Sequence, residues 1–214
     1  MNVMLPNKRG TFIAFEGEDK VGKTTQANRL IQRLTLENKR TILINFPDRS
    51  TDIGKIINLY LTRRNEYNDQ AIHLLFSANR WELKSKIISA LESGINVCVD
   101  RYAFSGVAYS ASKPGLNIDW CKQSDRGLPR PDIVCFLETQ NRVPALQAQY
   151  GEERYENPEF QQQVRNKFNL LRDNTWVEIL GDKSRDEVHE EIYNVVITKM
   201  DEDKGPLCQL WMNN

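Results

Sequence analysis

Residues 17–24 read Gly-Glu-Asp-Lys-Val-Gly-Lys-Thr, which fits the phosphate-binding loop pattern GxxxxGK(S/T). The apolar run TFIAF at residues 11–15 precedes this stretch and predicts a buried strand. Residues 25–38 follow it and predict a helix, because several apolar residues share one helical face: Leu30, Ile31 and Leu34. Strand, glycine loop and helix in this order are the context that the motif requires. A glycine-rich turn before an ordinary helix is the alternative, and both flanks argue against it.

The loop predicts a site for the phosphates of a nucleotide. Its glycines allow successive backbone N–H groups to point at phosphate oxygens, and the helix that follows adds the positive end of its dipole. We expect Lys23 to reach the β- and γ-phosphates and the hydroxyl of Thr24 to ligate Mg²⁺. The other loop residues expected to contact the nucleotide are Gly17, Asp19, Val21, Gly22 and Thr25.

The composition is that of an ordinary soluble globular protein. Of 214 residues, 40% are apolar and 27% are charged, and no linker divides the chain, so we expect a single domain over residues 1–214. Lysine plus arginine and aspartate plus glutamate both number 29, which argues against a basic surface for nucleic acid. No apolar run has the length of a membrane span, and residues 1–10 hold no signal-peptide core. The four cysteines have no CxxC spacing and predict reduced thiols, so we expect the cytoplasm.

Apolar runs alternate with helical patterns along the chain, which predicts an α/β fold. Strands are predicted at residues 11–15, 41–45, 95–99, 133–137 and 175–179. Helices are predicted at residues 25–38, 51–61, 69–93, 158–173 and 185–200, with one more that follows residue 101 and ends at 109. Short buried strands with helical crossovers favour a three-layer fold, in which helices cover both faces of a five-stranded parallel sheet.

Polar residues follow two further predicted strands. Asp48 and Arg49 come after the second, and Asp100 and Arg101 come after the third. Ligands collect at the carboxyl ends of strands in such sheets, and a guanidinium binds two phosphate oxygens at once. Arg49 and Arg101 therefore predict a second anionic site, for an acceptor that already carries a phosphate, while Asp100 predicts a carboxylate near Mg²⁺. Surface ion pairs and a helix cap are the alternatives.

Aromatic residues nearby predict a nucleoside pocket. Phe76 and Arg80 share a helical face, so the ring can stack on a base while the guanidinium donates to a carbonyl such as O4 of a pyrimidine. Behind Arg101 come residues that could wall the pocket and exclude a ribose 2′-hydroxyl: Tyr102, Phe104, Ser105 and Tyr109. Core packing is the alternative for both sets. Residues 147–157 are charged and contain a glycine, which predicts either a lid that excludes water or a solvated loop.

Several longer stretches, taken in order, resemble the thymidylate kinase family. They are residues 15–19 (FEGED), 46–49 (FPDR), 73–82 (HLLFSANRWE), 98–110 (CVDRYAFSGVAYS) and 127–132 (GLPRPD). The similarity covers about residues 10–200, and it is greatest to the eukaryotic and poxviral branch, which has its basic loop residue at the position of Lys20. Residues 205–212 are similar to the tail of the poxviral form.

This resemblance implies a P-loop kinase that transfers the γ-phosphate of ATP to dTMP with Mg²⁺, giving dTDP for dTTP biosynthesis. It also implies a homodimer whose small-molecule substrates are dTMP and ATP, with Lys20, Lys23 and Arg101 as the catalytic residues.

The family pattern further implies how the acceptor is held. Arg49 and Arg101 would bind the phosphate of dTMP, and Asp19 would bind the 3′-hydroxyl. Phe76 would stack on thymine, Arg80 would donate a hydrogen bond to its O4, and Tyr102 would guard against ribose. The pocket walls would be formed by Phe46, Ser105, Gly106 and Tyr109. Tyr155 would lie over the sugar, and Asp182 would lie near the adenine of the donor.

Two positions depart from the family pattern. Lys20 stands where many relatives have arginine, and an ammonium neutralises charge without a two-pronged grip. Gln147 aligns with a position that is often basic near the donor adenine, which bears on donor preference. Two other functions remain open. A deoxynucleoside kinase would leave Arg49 and Arg101 without a phosphate, and a regulatory GTPase would need an NKxD stretch that the sequence lacks.

Overall fold

The computed structural model describes residues 9–139 and 154–212 as alternating strands and helices. The strands are β1 (Phe12–Gly17), β2 (Thr41–Asn45), β3 (Asn96–Asp100), β4 (Ile133–Glu138) and β5 (Trp176–Leu180). The helices are α1 (Lys23–Leu36), α2 (Asp52–Leu61), α3 (Asp69–Glu82), α4 (Lys84–Glu92), α5 (Ala103–Ala111), α6 (Ile118–Gln123), α7 (Pro158–Asn169) and α8 (Arg185–Asp201).

β1 lies at the centre of a five-stranded sheet with the order β2-β3-β1-β4-β5. All four neighbouring pairs are parallel, which confirms the predicted α/β fold. Asp100 at the end of β3 lies level with Phe15 of β1 and with Asn45 of β2, so these three strands end at the same edge. β2 and β3 lie on one side of β1, and β4 and β5 lie on the other, so the chain changes direction across the sheet after β3. Ligands bind at such switch points of parallel sheets.

Alternate residues of β1 face opposite sides of the sheet. Phe12 and Ala14 join an apolar core with residues of α4, α5 and α7, whereas Ile13 and Phe15 join a second core with α1 and α8. All four residues are fully buried. A strand that is covered on both faces needs apolar side chains at successive positions, which is why residues 11–15 read as an unbroken apolar run.

The helix predicted over residues 69–93 is in fact two helices, because α3 ends at Glu82 and α4 begins at Lys84. Leu83 joins them with φ −99° and ψ 0°. The break allows α4 to bury Ile87 and Leu91 against the sheet, while α3 forms a wall of the cavity described below. No proline or glycine marks this position, so the break follows from packing on the sheet rather than from local sequence.

The sequence pattern also misses two features that pack beside α5. One is α6, which Asn117 caps by accepting hydrogen bonds from two amides of its first turn. The other is the C-terminal segment, residues 207–211. In it the amide of Leu210 donates to the carbonyl of Leu128 at 2.8 Å, and the amide of Gly127 donates to the carbonyl of Leu210 at 3.0 Å. Leu210 is thereby buried in the same core as α5.

Part of the predicted lid, including Gln147, lies outside the described residues, which take in only residues 154–157 of it. None of the helices in residues 9–139 or 154–212 is long and apolar enough to cross a membrane.

Candidate active site

A cavity of about 1020 Å³ opens at the carboxyl edge of the sheet, where β1, β2 and β3 end. The structure brings most of the predicted site residues into its lining. These are Asp19, Lys20, Val21, Gly22, Lys23, Thr24, Thr25, Phe46, Arg49, Phe76, Arg80, Asp100, Arg101, Tyr102, Ser105, Gly106, Tyr109 and Tyr155. Gly17 and Asp182 are not part of the lining, although the neighbours of Asp182, Gly181 and Lys183, are.

The loop after β1 has the curled backbone that a phosphate site needs. Gly17, Lys20 and Gly22 have φ values of 139°, 63° and 94°. A side chain at Gly17 would collide with the backbone, because an added Cβ would lie 2.1 Å from the carbonyl oxygen of Leu137. Gly22 is the N-cap of α1 and provides no side chain to cap it, so the first-turn amides of that helix can bind an anion.

Lys23 is the first residue of α1 and is only 5% exposed. Its ammonium donates a hydrogen bond to the backbone carbonyl of Glu18. Burial, with a smaller effect from the nearby Arg101 guanidinium, lowers the pKa of Lys23 to about 7. A buried ammonium of this kind is stabilised by a polyphosphate, because phosphate oxygens supply the negative charge that the protein interior lacks.

Thr24 and Asp100 meet at the junction of the loop and β3. The Thr24 hydroxyl donates to the carboxylate of Asp100, which is itself buried. Over residues 9–139 and 154–212, no group of three or more histidine, cysteine or acidic side chains is arranged to hold a metal. The two oxygens nevertheless fit Mg²⁺, which is commonly held by one or two protein oxygens together with phosphates and water.

Arg101 connects the phosphate loop to the rest of the cavity. Its Nη1 donates to the carbonyl of Gly17 at 2.9 Å and to the hydroxyl of Ser105 at 3.0 Å, and its Nη2 donates to the carboxylate of Asp19. Arg101 has φ 66°, which lies in the left-handed region. The guanidinium therefore lies between the loop and the start of α5.

Glu16 supports this arrangement from within β1, and sequence reasoning misses it. Its carboxylate accepts the amides of Tyr102 at 3.0 Å and Ser105 at 3.1 Å, and it also accepts the Ser105 hydroxyl. Burial raises the pKa of Glu16. Because the N-cap of α5 makes no side-chain hydrogen bond of its own, Glu16 takes over the capping of that helix and fixes the turn that carries Arg101.

Asp19 is held from the opposite side by Gln161 of α7. The Nε2 of Gln161 donates to the Asp19 carboxylate at 2.7 Å and to the carbonyl of Tyr155 at 3.0 Å, and its Oε1 accepts the amide of Asp19 at 3.1 Å. The phenol of Tyr109 lies 3.4 Å from the same amide group. No sequence pattern links Gln161 to Asp19, because 142 residues separate them.

The loop residues on either side of Asp19 also contact the segment around α7. Glu18 pairs with Arg165, and Lys20 pairs with Glu156 at 3.2 Å. Three successive loop residues are thus connected to residues 156–165, which begin at the end of the predicted lid and continue into α7. Tyr155 stacks on Phe160 with 5.2 Å between ring centroids.

Phe76 and Arg80 line the far end of the cavity on α3, as their helical spacing predicts. Arg80 forms two hydrogen bonds with Asp125, from Nε at 2.9 Å and from Nη2 at 2.6 Å. Tyr102 lies in this neighbourhood too, because Asp125 and Arg80 are the charged groups that act on its hydroxyl, whose pKa is raised mainly by burial. The Tyr102 ring packs on the ring of Phe46, with 5.7 Å between the ring centroids.

Arg49 lies at the rim of the cavity beyond β2. Its Nη1 donates to the side-chain oxygen of Asn58 on α2 at 2.9 Å. Arg49 is exposed, whereas Arg101 is only partly exposed.

Comparison with known proteins relates this cavity to a family. The thymidylate kinase family model matches residues 15–192. Thymidylate kinases of Danio rerio and Homo sapiens are each 42% identical to the chain, over 95% of it and 98% of their own length. The solved structure of the Candida albicans thymidylate kinase is 36% identical, has a TM-score of 0.84, and is matched over 94% of this chain and 98% of its own. The chain belongs to the thymidylate kinase family.

Proposed function

We propose that the protein transfers the γ-phosphate of ATP to dTMP, giving dTDP for dTTP biosynthesis. One observation carries this proposal: a single cavity is lined by Lys23 of the glycine loop and also by two arginines from outside it, Arg49 and Arg101. A nucleotide hydrolase needs one anionic site, whereas a kinase whose acceptor already carries a phosphate needs two. The thymidylate kinases among the relatives support the same reaction.

At the donor end, Lys23 and the first-turn amides of α1 would bind the β- and γ-phosphates of ATP. The remaining loop contacts would come from Gly17, Asp19, Val21, Gly22 and Thr25. Thr24 and Asp100 would hold Mg²⁺, which neutralises charge on the triphosphate when bound. Asp182, which accepts a hydrogen bond from Thr139, would lie beside the adenine.

At the acceptor end, Arg49 and Arg101 would bind the phosphate of dTMP, and Asp19 would accept the 3′-hydroxyl. Phe76 would stack on thymine, and Arg80 would donate to its O4. The walls around the nucleoside would be formed by Phe46, Ser105, Gly106, Tyr109 and Tyr155.

We propose that Tyr109 shares the exclusion of ribose with Tyr102, because both line the cavity. Tyr102 is 1% exposed, and the charged groups that act on its hydroxyl are Asp125 and Arg80. Tyr109 is the ring next to the carboxylate of Asp19 that would bind the sugar, since its phenol approaches Gln161 and the Arg101 guanidinium carbon lies 5.3 Å from its ring centroid. We therefore assign the ribose guard to Tyr109 as well as to Tyr102.

Phosphoryl transfer in this cavity would depend on alignment and charge neutralisation. A phosphate monoester has a second pKa of about 6, so dTMP is mostly a dianion at neutral pH and needs no general base. Arg101 contacts Gly17 of the loop while facing the acceptor, so it would align the attacking oxygen with the γ-phosphorus. Lys20 and Arg101 would then offset the charge that spreads over the transferred group.

A coupled assay of ADP release, with ATP and a panel of acceptors, tests the proposal. We expect turnover with dTMP and none with thymidine, because thymidine offers no phosphate to Arg49 and Arg101. Turnover of thymidine but not of dTMP would indicate a deoxynucleoside kinase, and GTP hydrolysis independent of any acceptor would indicate a regulatory GTPase. The Candida albicans relative has broad substrate specificity, so dUMP and dGMP belong in the panel.

We also infer that the protein forms a homodimer. Leu74 and Trp81 lie two turns apart on α3 and are 49% and 36% exposed. Trp120 of α6, which packs on His73 of α3, is 40% exposed. Exposed apolar groups of this size favour a protein partner, and a second copy of the chain is the partner that the family implies. Sedimentation equilibrium should give twice the monomer mass of 24.9 kDa.

Three cysteines are free and buried, which supports the cytoplasm as the location.

A further inference from the structure

We propose that Asp125 is the positioning residue for Arg80, and that it thereby makes the acceptor pocket selective for a base with a carbonyl at the position of O4. Asp125 lies in the turn after α6, outside every motif of the sequence. This inference rests on the proposed function, because it concerns how the same cavity recognises the acceptor base.

The Arg80–Asp125 pair is buried, with side chains 3% and 0% exposed. The carboxylate takes two of the five N–H donors of the guanidinium, from Nε and from Nη2. Nη1 makes no hydrogen bond to any of the described residues, and Arg80 lines the cavity. The pair therefore leaves one edge of the guanidinium free to donate to a ligand.

Gly106 of α5 limits how the guanidinium of Arg80 can move in another direction. A Cβ added at this glycine would lie 2.6 Å from Nη2, 2.8 Å from Nη1 and 2.9 Å from Cζ of Arg80. The guanidinium is thus pressed against the backbone of α5 while Asp125 holds its edge. With both constraints it has a single orientation, which is the condition for precise recognition of one carbonyl oxygen.

Asp125 is itself fixed by groups that do not reach the cavity. The Ser77 hydroxyl donates to its Oδ1 at 2.8 Å and to the carbonyl of Ser124 at 2.8 Å, and Trp81 Nε1 donates to that same carbonyl at 2.7 Å. The C-terminal segment holds the other end of the turn through Gly127 and Leu128. Asp125 does not line the cavity, so it acts on the acceptor only through Arg80.

The chemistry of this arrangement selects against bases without the carbonyl. The free edge of Arg80 carries only donors, so it matches a carbonyl oxygen and repels the amino group of a cytosine. Without the Asp125 carboxylate, the guanidinium would keep its charge but lose its fixed direction. We therefore expect Asp125 to control discrimination between acceptors more than the rate of phosphoryl transfer.

The experiment compares two acceptors in the full-length enzyme: dTMP and its analogue in which hydrogen replaces O4. For the wild type we expect kcat/KM to favour dTMP by about tenfold to a hundredfold, the value of one charge-assisted hydrogen bond. Asp125→Asn should lose most of this preference through a higher KM for dTMP. KM for the analogue and KM for ATP should change by less than about threefold. Ser112→Ala is a matched control, because this buried serine bonds only the carbonyl of Ala108 among the described residues.

An equal loss of kcat/KM for both acceptors in Asp125→Asn would mean that Asp125 is merely structural, and an unchanged preference would also overturn the proposal. If Asp125→Asn does not fold, Ser77→Ala gives the answer, because it removes one support of the carboxylate and keeps both charges. We expect Ser77→Ala to reduce the preference for dTMP over the analogue by about threefold. If Ser77→Ala keeps the same preference as Ser112→Ala, the proposal is wrong. A wild type that phosphorylates dTMP without preferring it over the analogue refutes this inference alone, whereas one that does not phosphorylate dTMP refutes the proposed function.

Discussion

The two ends of the cavity are built in different ways. The proposed donor end is a contiguous stretch, residues 17–25, in which glycines and positive φ values curl the backbone and residues 19–25 line the cavity. The proposed acceptor end takes its side chains from α3, from the turn after β3, from α5 and from the edge of the predicted lid, all of which line the cavity. A site made of backbone groups requires only a local pattern of glycines, whereas a site made of side chains requires that distant elements hold one another in place.

The supports of the two ends differ accordingly. Positive φ values at Gly17, Lys20 and Gly22 shape the donor loop. The acceptor end relies on paired charges, Arg80 with Asp125 and Arg101 with Asp19. Because breaking the buried Arg80–Asp125 pair leaves an uncompensated charge, we expect substitutions that disturb this pair to have large effects that are confined to the acceptor.

The largest effect should come from Arg101→Ala, because Arg101 contacts both ends. We expect kcat/KM for dTMP to fall by about a hundredfold to a thousandfold, as for the loss of one donor to a transition-state oxygen, while KM for ATP changes little. Steady-state kinetics with each substrate varied in turn measures this. The exposed Arg64→Ala serves as the control. An increase mainly in KM for ATP would show that Arg101 contributes to the binding of ATP and not to the binding of dTMP.

A smaller effect, limited to the acceptor end, should follow from Gly106→Ala. The new Cβ would displace the Arg80 guanidinium, which Asp125 prevents from moving freely. We expect KM for dTMP to rise about tenfold, the value of roughly one hydrogen bond, with KM for ATP unchanged. Ser112→Ala, at the C-terminal end of the same helix, is the control, since this serine bonds only the carbonyl of Ala108 among the described residues. An unchanged KM for dTMP would show that Arg80 does not need its present position.

The smallest effect, limited to the donor end, concerns pH. Lys23 has a pKa of about 7 in the free enzyme, so it loses its proton as the pH rises above that value. Bound polyphosphate favours the charged form and raises this pKa, so ATP binding should take up a proton above pH 7. Between pH 7.5 and 8.5 the affinity for ATP should fall by about fivefold to tenfold.

Calorimetry in two buffers of different ionisation enthalpy measures that proton uptake. The affinity for dTMP, measured in the same way, is the internal comparison and should change less over this pH range. ATP binding without proton uptake at pH 8.5 would mean that Lys23 is already charged in the free enzyme.

The difference between the two ends also governs how much the sequence predicts. The pattern around residues 17–24 and five apolar runs predict the parallel sheet and the edge at which the cavity opens, and the structure confirms the fold. The sequence predicts that Phe76 and Arg80 line the same cavity, because residues four positions apart on a helix share a face. It does not predict the break at Leu83, because the break serves contacts of α4 with the sheet.

The sequence by itself determined the phosphate loop, the five strands with most of the helices, and the family of the protein. Each of these depends on local backbone preferences or on contiguous motifs. Only the tertiary structure decided that Glu16 caps α5, that Gln161 holds Asp19, and that Asp125 fixes Arg80. These partners are polar side chains from separate elements. Their pairing follows from burial, which makes an unpaired charge too costly, and burial exists only once the chain has folded.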